Sequence, residues 1–299
     1  MKVLFTGGGT AGHINPALAA AGYLLQKEPD AQILYVGNKG GMEERLVAQA
    51  GYDMKTVHIS GFQRKLTPKN LWRNAQTVVR VFTATVEAKR IIQEFGPDVC
   101  VGTGGYVCGP VLREAAKLGI PCVIHESNAY PGVTTKMLAK SVKAVMLAVP
   151  DAKQYFDSSV NCVVTGNPVR GEVLTAQREE SRKALGLDER PVVLSFGGSL
   201  GASALNRAAA YMLAQSAKTG EYQHIHGYGS HDEKFLDECR EFGLDVEMTP
   251  QIRLLEYIDN MPQCLSAADL VIGRAGAMTL TEIEAKAKAS LLIPSPNVA

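Results

Sequence analysis

The 299-residue chain contains no uncharged apolar run of about 18 residues, so no segment reads as a membrane-spanning helix. It also lacks a strong charge of either sign. Its 31 Lys and Arg offset 30 Asp and Glu for a net charge of +1, which argues against a surface that grips nucleic acid throughout and leaves room only for a local basic patch. Six cysteines are present, Cys100, Cys108, Cys122, Cys162, Cys239 and Cys264, without a C-x-x-C pair. Buried, reduced thiols of a cytosolic protein are expected, not a disulfide framework. No G-x-x-x-x-G-K-[ST] loop, D-x-D or H-E-x-x-H motif occurs, which removes P-loop chemistry and the common metal signatures. Met1-Lys2 leads straight into a short strand and a glycine loop, so no signal peptide is expected.

What is present is ordinary for a soluble globular protein, with 46% hydrophobic and 20% charged residues. The length suggests two domains of about 150 residues, each able to bury a core. Short apolar runs alternate with helical patterns. Strands are predicted at Val3–Phe5, Gln32–Val36, Val99–Val101, Cys122–His125, Val145–Leu147, Val192–Phe196, Leu270–Ile272 and Leu291–Ile293. Helices are predicted over Ala17–Leu25, Glu43–Ala50, Ala204–Gln215 and Thr279–Lys288. That alternation predicts parallel α/β units with right-handed crossovers.

The chain also repeats itself. "KVLFTGGGTAGHINPALAAAGYL" from Lys2 resembles "PVVLSFGGSLGASALNRAAAYML" from Pro191, and "DVCVGTGGY" from Asp98 resembles "DLVIGRAGA" from Asp269. Occurring in the same order, the two pairs predict two doubly wound domains in tandem, residues 1–165 and 166–299. The charged stretch "TAQREESRKALGLDERP" reads as a solvated opening of the second.

Gly7, Gly9 and Gly12 fit G-x-G-x-x-G, the dinucleotide pattern. Such glycines serve any phosphate-bearing ligand, through a tight turn and close approach to backbone N–H groups. A NAD site adds an acid at the end of the second strand, about 20 residues on. Here "QILYV" ends in Gly37-Asn38-Lys39, and Asp30 stands at the wrong end, which argues against NAD. His13 follows Gly12 at the start of a helix whose first turn is expected to hold Pro16. It reads either as a capping, partly buried histidine or as a general base or phosphate contact at the carboxyl end of the strands. Glycine turns end four strands, at Gly7–Gly12, Gly102–Gly105, Gly197–Gly201 and Gly273–Gly276; in two facing domains they would open on one cleft for two phosphate-bearing molecules. Glu282 reads as a solvated helix-face residue or as an acceptor for both ribose hydroxyls. "HIHGYGSH" admits a metal reading at His224, His226 and His231, but a strand leading into a loop is simpler.

Together these stretches resemble one family, the bacterial N-acetylglucosaminyltransferases that convert lipid I to lipid II in peptidoglycan synthesis. "TGGGTAGHINPALA", "GTGGYVCGP", "HESNAYPG", "TGNPVR", "FGGSLGA", "YIDNM" and "GRAGAMTLTEI" carry the resemblance, in order, from residue 6 to 283. It implies an α/β fold of GT-B architecture, two Rossmann-like parallel-sheet domains facing across a cleft. It further implies inverting transfer without metal or other cofactor, from UDP-GlcNAc to the MurNAc C4 hydroxyl of undecaprenyl-diphospho-MurNAc-pentapeptide (lipid I). His13 matches the proposed general base. Thr10, Ala11, Gly12 and Asn128 match donor-sugar contacts, while Arg170 and Ser199 match the donor diphosphate end. Ile258 matches a uracil contact. Ala277, Met278, Thr279, Leu280, Thr281 and Glu282 match the helix start on the nucleotide, with Glu282 on the ribose. Gly104, Gly105 and Tyr106 match the acceptor side.

The lipid acceptor lends weight to a basic, aromatic stretch, Gly61–Arg90. There Leu71, the sole tryptophan Trp72, Arg73 and Phe82 read as a peripheral anchor on anionic membrane at the cytoplasmic face, as against a packed helix with a solvated basic face. Partners in the cell-wall and division machinery are implied by the family, nucleic acid is not. Two other functions share features of the chain: a UDP-GlcNAc epimerase of the same fold, and a catalytically impaired nucleotide-sugar or membrane-binding protein. The sequence departs from the family pattern at Ala11, where glycine is common, and at Ala287 and Ala289, which replace Gly and Pro and predict a longer helix. Family members continue past the position of Ala299 with a Gln-containing donor loop and a terminal helix, on which domain closure and activity are expected to depend.

Overall fold

A computed structural model describes residues 1–61, 67–230, 232, 234–245 and 249–295, with the side chains of 68–76 and 78 left out. The chain divides into two compact units, Met1–Arg170 and Gly171–Ala299.

The first unit runs β1 (Lys2–Thr6), α1 (Ala11–Lys27), β2 (Gln32–Asn38), α2 (Met42–Gln49), β3 (Asp53–Val57), α3 (Pro68–Phe95), β4 (Val99–Gly102), α4 (Cys108–Lys117), β5 (Cys122–Glu126), α5 (Val133–Leu138), β6 (Ala144–Leu147) and β7 (Cys162–Val164), with a 3-10 turn at Pro150–Tyr155. Its seven strands pair in the order β3-β2-β1-β4-β5-β6-β7, and every pairing is parallel. Central strands are buried on both faces, which is why they read as unbroken apolar runs. Leu4, Val36, Cys100, Ile124 and Val145 form a core with Ala84, Ala88, Ile91 and Ile92 of α3 and Val111 and Leu112 of α4. Full burial of each large aliphatic stabilises by about 1.5–3 kcal/mol.

The second unit runs α6 (Gly171–Thr175), α7 (Arg178–Ala184), β8 (Val192–Phe196), α8 (Ser203–Thr219), β9 (Gln223–Gly227), α9 (Phe235–Glu241), β10 (Ile252–Leu255), α10 (Met261–Ala267), β11 (Leu270–Arg274), α11 (Ala277–Ala285) and β12 (Ala289–Ile293). Its parallel sheet is ordered β10-β9-β8-β11-β12. This order repeats β3-β2-β1-β4-β5 strand for strand, as the duplicated segments predict. The edge strands β3 and β10 carry no continuous apolar run, because Asp53 and Lys55 interrupt the first and Arg253 the second, and neither is among the predicted strands.

Three local expectations change. The stretch around α7 is not wholly solvated: Arg182 is buried and donates to the Ala267 and Arg190 carbonyls and to Asp269. The longer helix expected at Ala287 does not form. α11 stops at Ala285, and Ala287 takes a left-handed conformation with φ +48°. Pro16 lies in the second turn of α1, not the first, because the helix begins at Ala11; with no N–H, Pro16 cannot bond the Gly12 carbonyl one turn back.

Candidate active site

In each unit two glycine loops leave adjacent strands: β1 and β4 in the first, β8 and β11 in the second. These are the points where strand order reverses, the usual ligand position of an open α/β sheet.

In the first unit the two loops interlock. Gly8 N–H donates to the Gly104 carbonyl, and Thr103 N–H to the Thr6 carbonyl at 2.9 Å. Thr103 Oγ1 donates to the His13 carbonyl at 2.5 Å, bracing the first turn of α1. Side chains have no room here. A Cβ on Gly7 would strike Thr103 Oγ1, and one on Gly105 would strike the Gly8 carbonyl. Thr10 caps α1 with an extended backbone, and its carbonyl accepts from His13 and Ile14 N–H. Ala11 is the first helical residue and has no positive φ, so its methyl costs the loop nothing.

His13 is half-buried, with Nδ1 3.1 Å from the Gly8 carbonyl and 3.4 Å from Thr10 Oγ1. Because the Gly8 carbonyl can only accept, Nδ1 carries the hydrogen, and in the neutral ring that leaves the lone pair of a base on Nε2. The ring edge bearing Nε2 lies against Gly104. Tyr106 follows in the same loop and is exposed. His13, Thr10–Gly12 and Gly104–Tyr106 are therefore brought together, as the sequence predicts.

Asn128 follows β5 and is exposed. The sequence reading missed what sets it. Glu126 is buried; its Oε1 accepts from Asn128 N and Nδ2 at 3.0 and 2.9 Å, and Oε2 from Gly132 N at 2.9 Å. Beside it, buried His125 bonds the Gly166 carbonyl through Nε2, and burial lowers its pKa. Glu43 was also missed. It is fully buried, accepts Asn38 N–H at 2.8 Å and Gly9 N–H at 3.4 Å, and fills the Cβ positions of Gly8, Gly37 and Gly41. Asn38, where a NAD site has its acid, instead accepts Ile59 N–H. Arg170 is half-buried as the last residue of the first unit.

In the second unit Ser199 lies in the loop after β8, and its carbonyl accepts Ser230 N–H. Ile258, after β10, is buried across Gly227 at the end of β9. Ala277–Glu282 form the first turns of α11, where Thr281 Oγ1 donates to the Ala277 carbonyl and Glu282 is buried, not solvated. His224 and His226 belong to β9 and bracket Ser195 Oγ at 2.7 and 2.6 Å; His231 lies outside the described residues. Leu71, Trp72 and Arg73 fall in the first turns of α3, with side chains outside those described, whereas Phe82 is exposed.

Comparison with known proteins agrees in both units. The glycosyltransferase family 28 N-terminal domain matches residues 3–147, and the family 28 C-terminal domain matches residues 192–299. A Thermoanaerobacter sp. (strain X514) protein, named UDP-N-acetylglucosamine--N-acetylmuramyl-(pentapeptide) pyrophosphoryl-undecaprenol N-acetylglucosamine transferase, is 45% identical over 300 residues, covering 100% of this chain and 80% of the relative. The protein of the same name from Lactococcus lactis subsp. cremoris (strain MG1363) is 40% identical over 298 residues, with the same coverage. Among solved structures, Acinetobacter baumannii MurG matches with a TM-score of 0.65 and 31% identity, over 100% of this chain and 80% of that one. A UDP-GlcNAc 2-epimerase from Neisseria meningitidis matches with a TM-score of 0.67 over 98% of this chain and 82% of that one, but at 14% identity it shares the fold alone. The chain belongs to glycosyltransferase family 28, in its two-domain GT-B form.

Proposed function

We propose that the chain transfers N-acetylglucosamine from UDP-N-acetylglucosamine to the C4 hydroxyl of undecaprenyl-diphospho-N-acetylmuramyl-pentapeptide. The observation that carries this reading is His13, tethered at Nδ1 and free to accept a proton at Nε2, at the strand-order reversal of the first unit. Nε2 takes the proton of the C4 hydroxyl as its oxygen attacks the anomeric carbon. The bond to UDP breaks on the opposite face and UDP leaves with the electron pair. An α-linked donor thus gives a β-linked product, and the imidazolium returns its proton to solvent. Asn128 and Thr10–Gly12 position the donor sugar. Arg170 and Ser199 meet the diphosphate, Ile258 and Ala277–Thr281 the uridine, and Glu282 the ribose; the N–H groups at the start of α11 favour the developing negative charge. Gly104, Gly105 and Tyr106 line the acceptor side.

A lipid-linked acceptor requires a membrane surface. On α3, Val79, Phe82 and Val86 are 62%, 71% and 70% exposed and share one helical stripe, flanked by Arg80, Lys89 and Arg90. An apolar stripe with basic flanks supports peripheral binding to anionic lipid at the cytoplasmic face, where enzymes of the same cell-wall machinery would be met. Among the described residues no helix is long and apolar enough to cross a membrane.

Supplying UDP-N-acetylglucosamine with a lipid I analogue tests the reading. A β-linked disaccharide is expected. Isomerised nucleotide sugar would point to the epimerase, and binding without turnover to the impaired binding protein.

A further inference from the structure

A pocket of about 80 Å³ opens at the carboxyl ends of β1, β2 and β3, within the first unit. Ile59 and Val107 contribute apolar groups to its lining and Asn38 and Ser60 polar ones, and fully buried Glu43 borders it from behind the surface. Two links tie it to the reaction centre. Gly8 lines the pocket, and the Gly8 carbonyl holds His13 Nδ1. Tyr106, from the loop that meets His13, forms another wall and packs over Gly61.

Its chemistry is selective. Among the described residues, the only formal charge in the lining is the Glu43 carboxylate. Both Glu43 oxygens already accept N–H bonds, which fixes the carboxylate in place. A fixed carboxylate in a partly enclosed pocket repels a phosphate and attracts a hydrogen-bond donor. A single water needs about 10–15 Å³ of such space, so the pocket has room for several waters or for a group of a few heavy atoms. The lining therefore suits a small group that is not anionic and that combines an apolar part with a hydrogen-bond donor.

Resting on the function proposed above, we infer that this pocket seats the C2 acetamido group of the acceptor's N-acetylmuramyl sugar. The methyl lies against Ile59 and Val107, and the amide N–H turns to the side of Glu43 and Ser60. The acceptor's diphosphate is held elsewhere. The pocket thus fixes the face of the sugar that meets His13 and limits the acyl group that the enzyme accepts.

Lipid I analogues carrying N-acetyl, N-propanoyl or N-pivaloyl at C2 of the muramyl sugar test this in the GlcNAc-transfer assay. The wild type is expected to lose about 30-fold or more in kcat/KM from acetyl to pivaloyl. Ile59→Ala and Val107→Ala, by enlarging the apolar side, are expected to narrow that ratio by about fivefold. Equal turnover of the acetyl and pivaloyl acceptors by the wild type overturns the assignment, as does an unchanged ratio in both variants. If the N-acetyl acceptor is itself not glycosylated, the proposed function fails and the assignment with it; unselective transfer removes the assignment alone.

Discussion

His13 and Gly104 stand in direct apposition: a Cβ on Gly104 would lie 2.6 Å from His13 Cδ2 and 3.0 Å from Nε2. The φ of +108° at Gly104 independently disfavours any side chain. Gly104→Ala must therefore push the imidazole away from its seat on Gly8. Transfer is expected to fall about 10²-fold, while UDP affinity, assigned to the second unit, changes less than about twofold by calorimetry. Near-normal turnover would show that the ring's position is not used.

Glu126 concentrates three hydrogen bonds on one buried carboxylate. Glu126→Ala leaves the Asn128 and Gly132 N–H groups without their acceptor, at a cost of about 1–3 kcal/mol in stability. Because Asn128 is assigned to the donor sugar, KM for UDP-N-acetylglucosamine should rise while UDP affinity holds. A fall in the urea midpoint with no change in KM would make Glu126 a purely structural residue.

Ala287 is the one non-glycine residue with positive φ among those described. An L-residue in the left-handed region costs about 1–2 kcal/mol, part of which glycine returns through the entropy of the unfolded chain. Ala287→Gly should stabilise by about 0.5–1 kcal/mol, read as a higher urea midpoint. A lower midpoint would contradict the strain.

How much of this was legible in the sequence divides along physical lines. Gly7–Gly12 and Gly197–Gly201 announced the duplication, because glycine at a strand end has few other uses, and the doubled strand order followed. His13 was legible for the same reason, standing next to a loop whose purpose was already narrowed. Glu43 and Glu126 were not, since nothing in a sequence separates a buried carboxylate from a solvated one until the N–H groups it accepts are brought to it. β3 and β10 escaped because Asp53, Lys55 and Arg253 interrupt their short apolar runs. Ala287 misled, since alanine's helix propensity predicted continuation where the chain turns toward β12.

Burial of the His224–Ser195–His226 cluster depresses both imidazoles, to about 3 and about 4. Unfolded histidines titrate near about 6.5, so below that pH the unfolded chain takes up protons that the folded chain refuses. The stabilisation is complete above about 6.5 and is lost progressively as pH falls toward the folded values, by up to about 1.4 kcal/mol per pH unit for each histidine. The denaturation midpoint of His226→Gln should fall less steeply between about pH 6.5 and 4.5 than that of the wild type. Parallel slopes would refute the account.

The central claim is that His13 removes the proton from the acceptor hydroxyl. Single-turnover transfer from UDP-N-acetylglucosamine to a lipid I analogue, wild type against His13→Ala, tests it most directly. The account predicts a rate lower by about 10²–10⁴-fold with UDP affinity unchanged. A loss of less than about tenfold would contradict it.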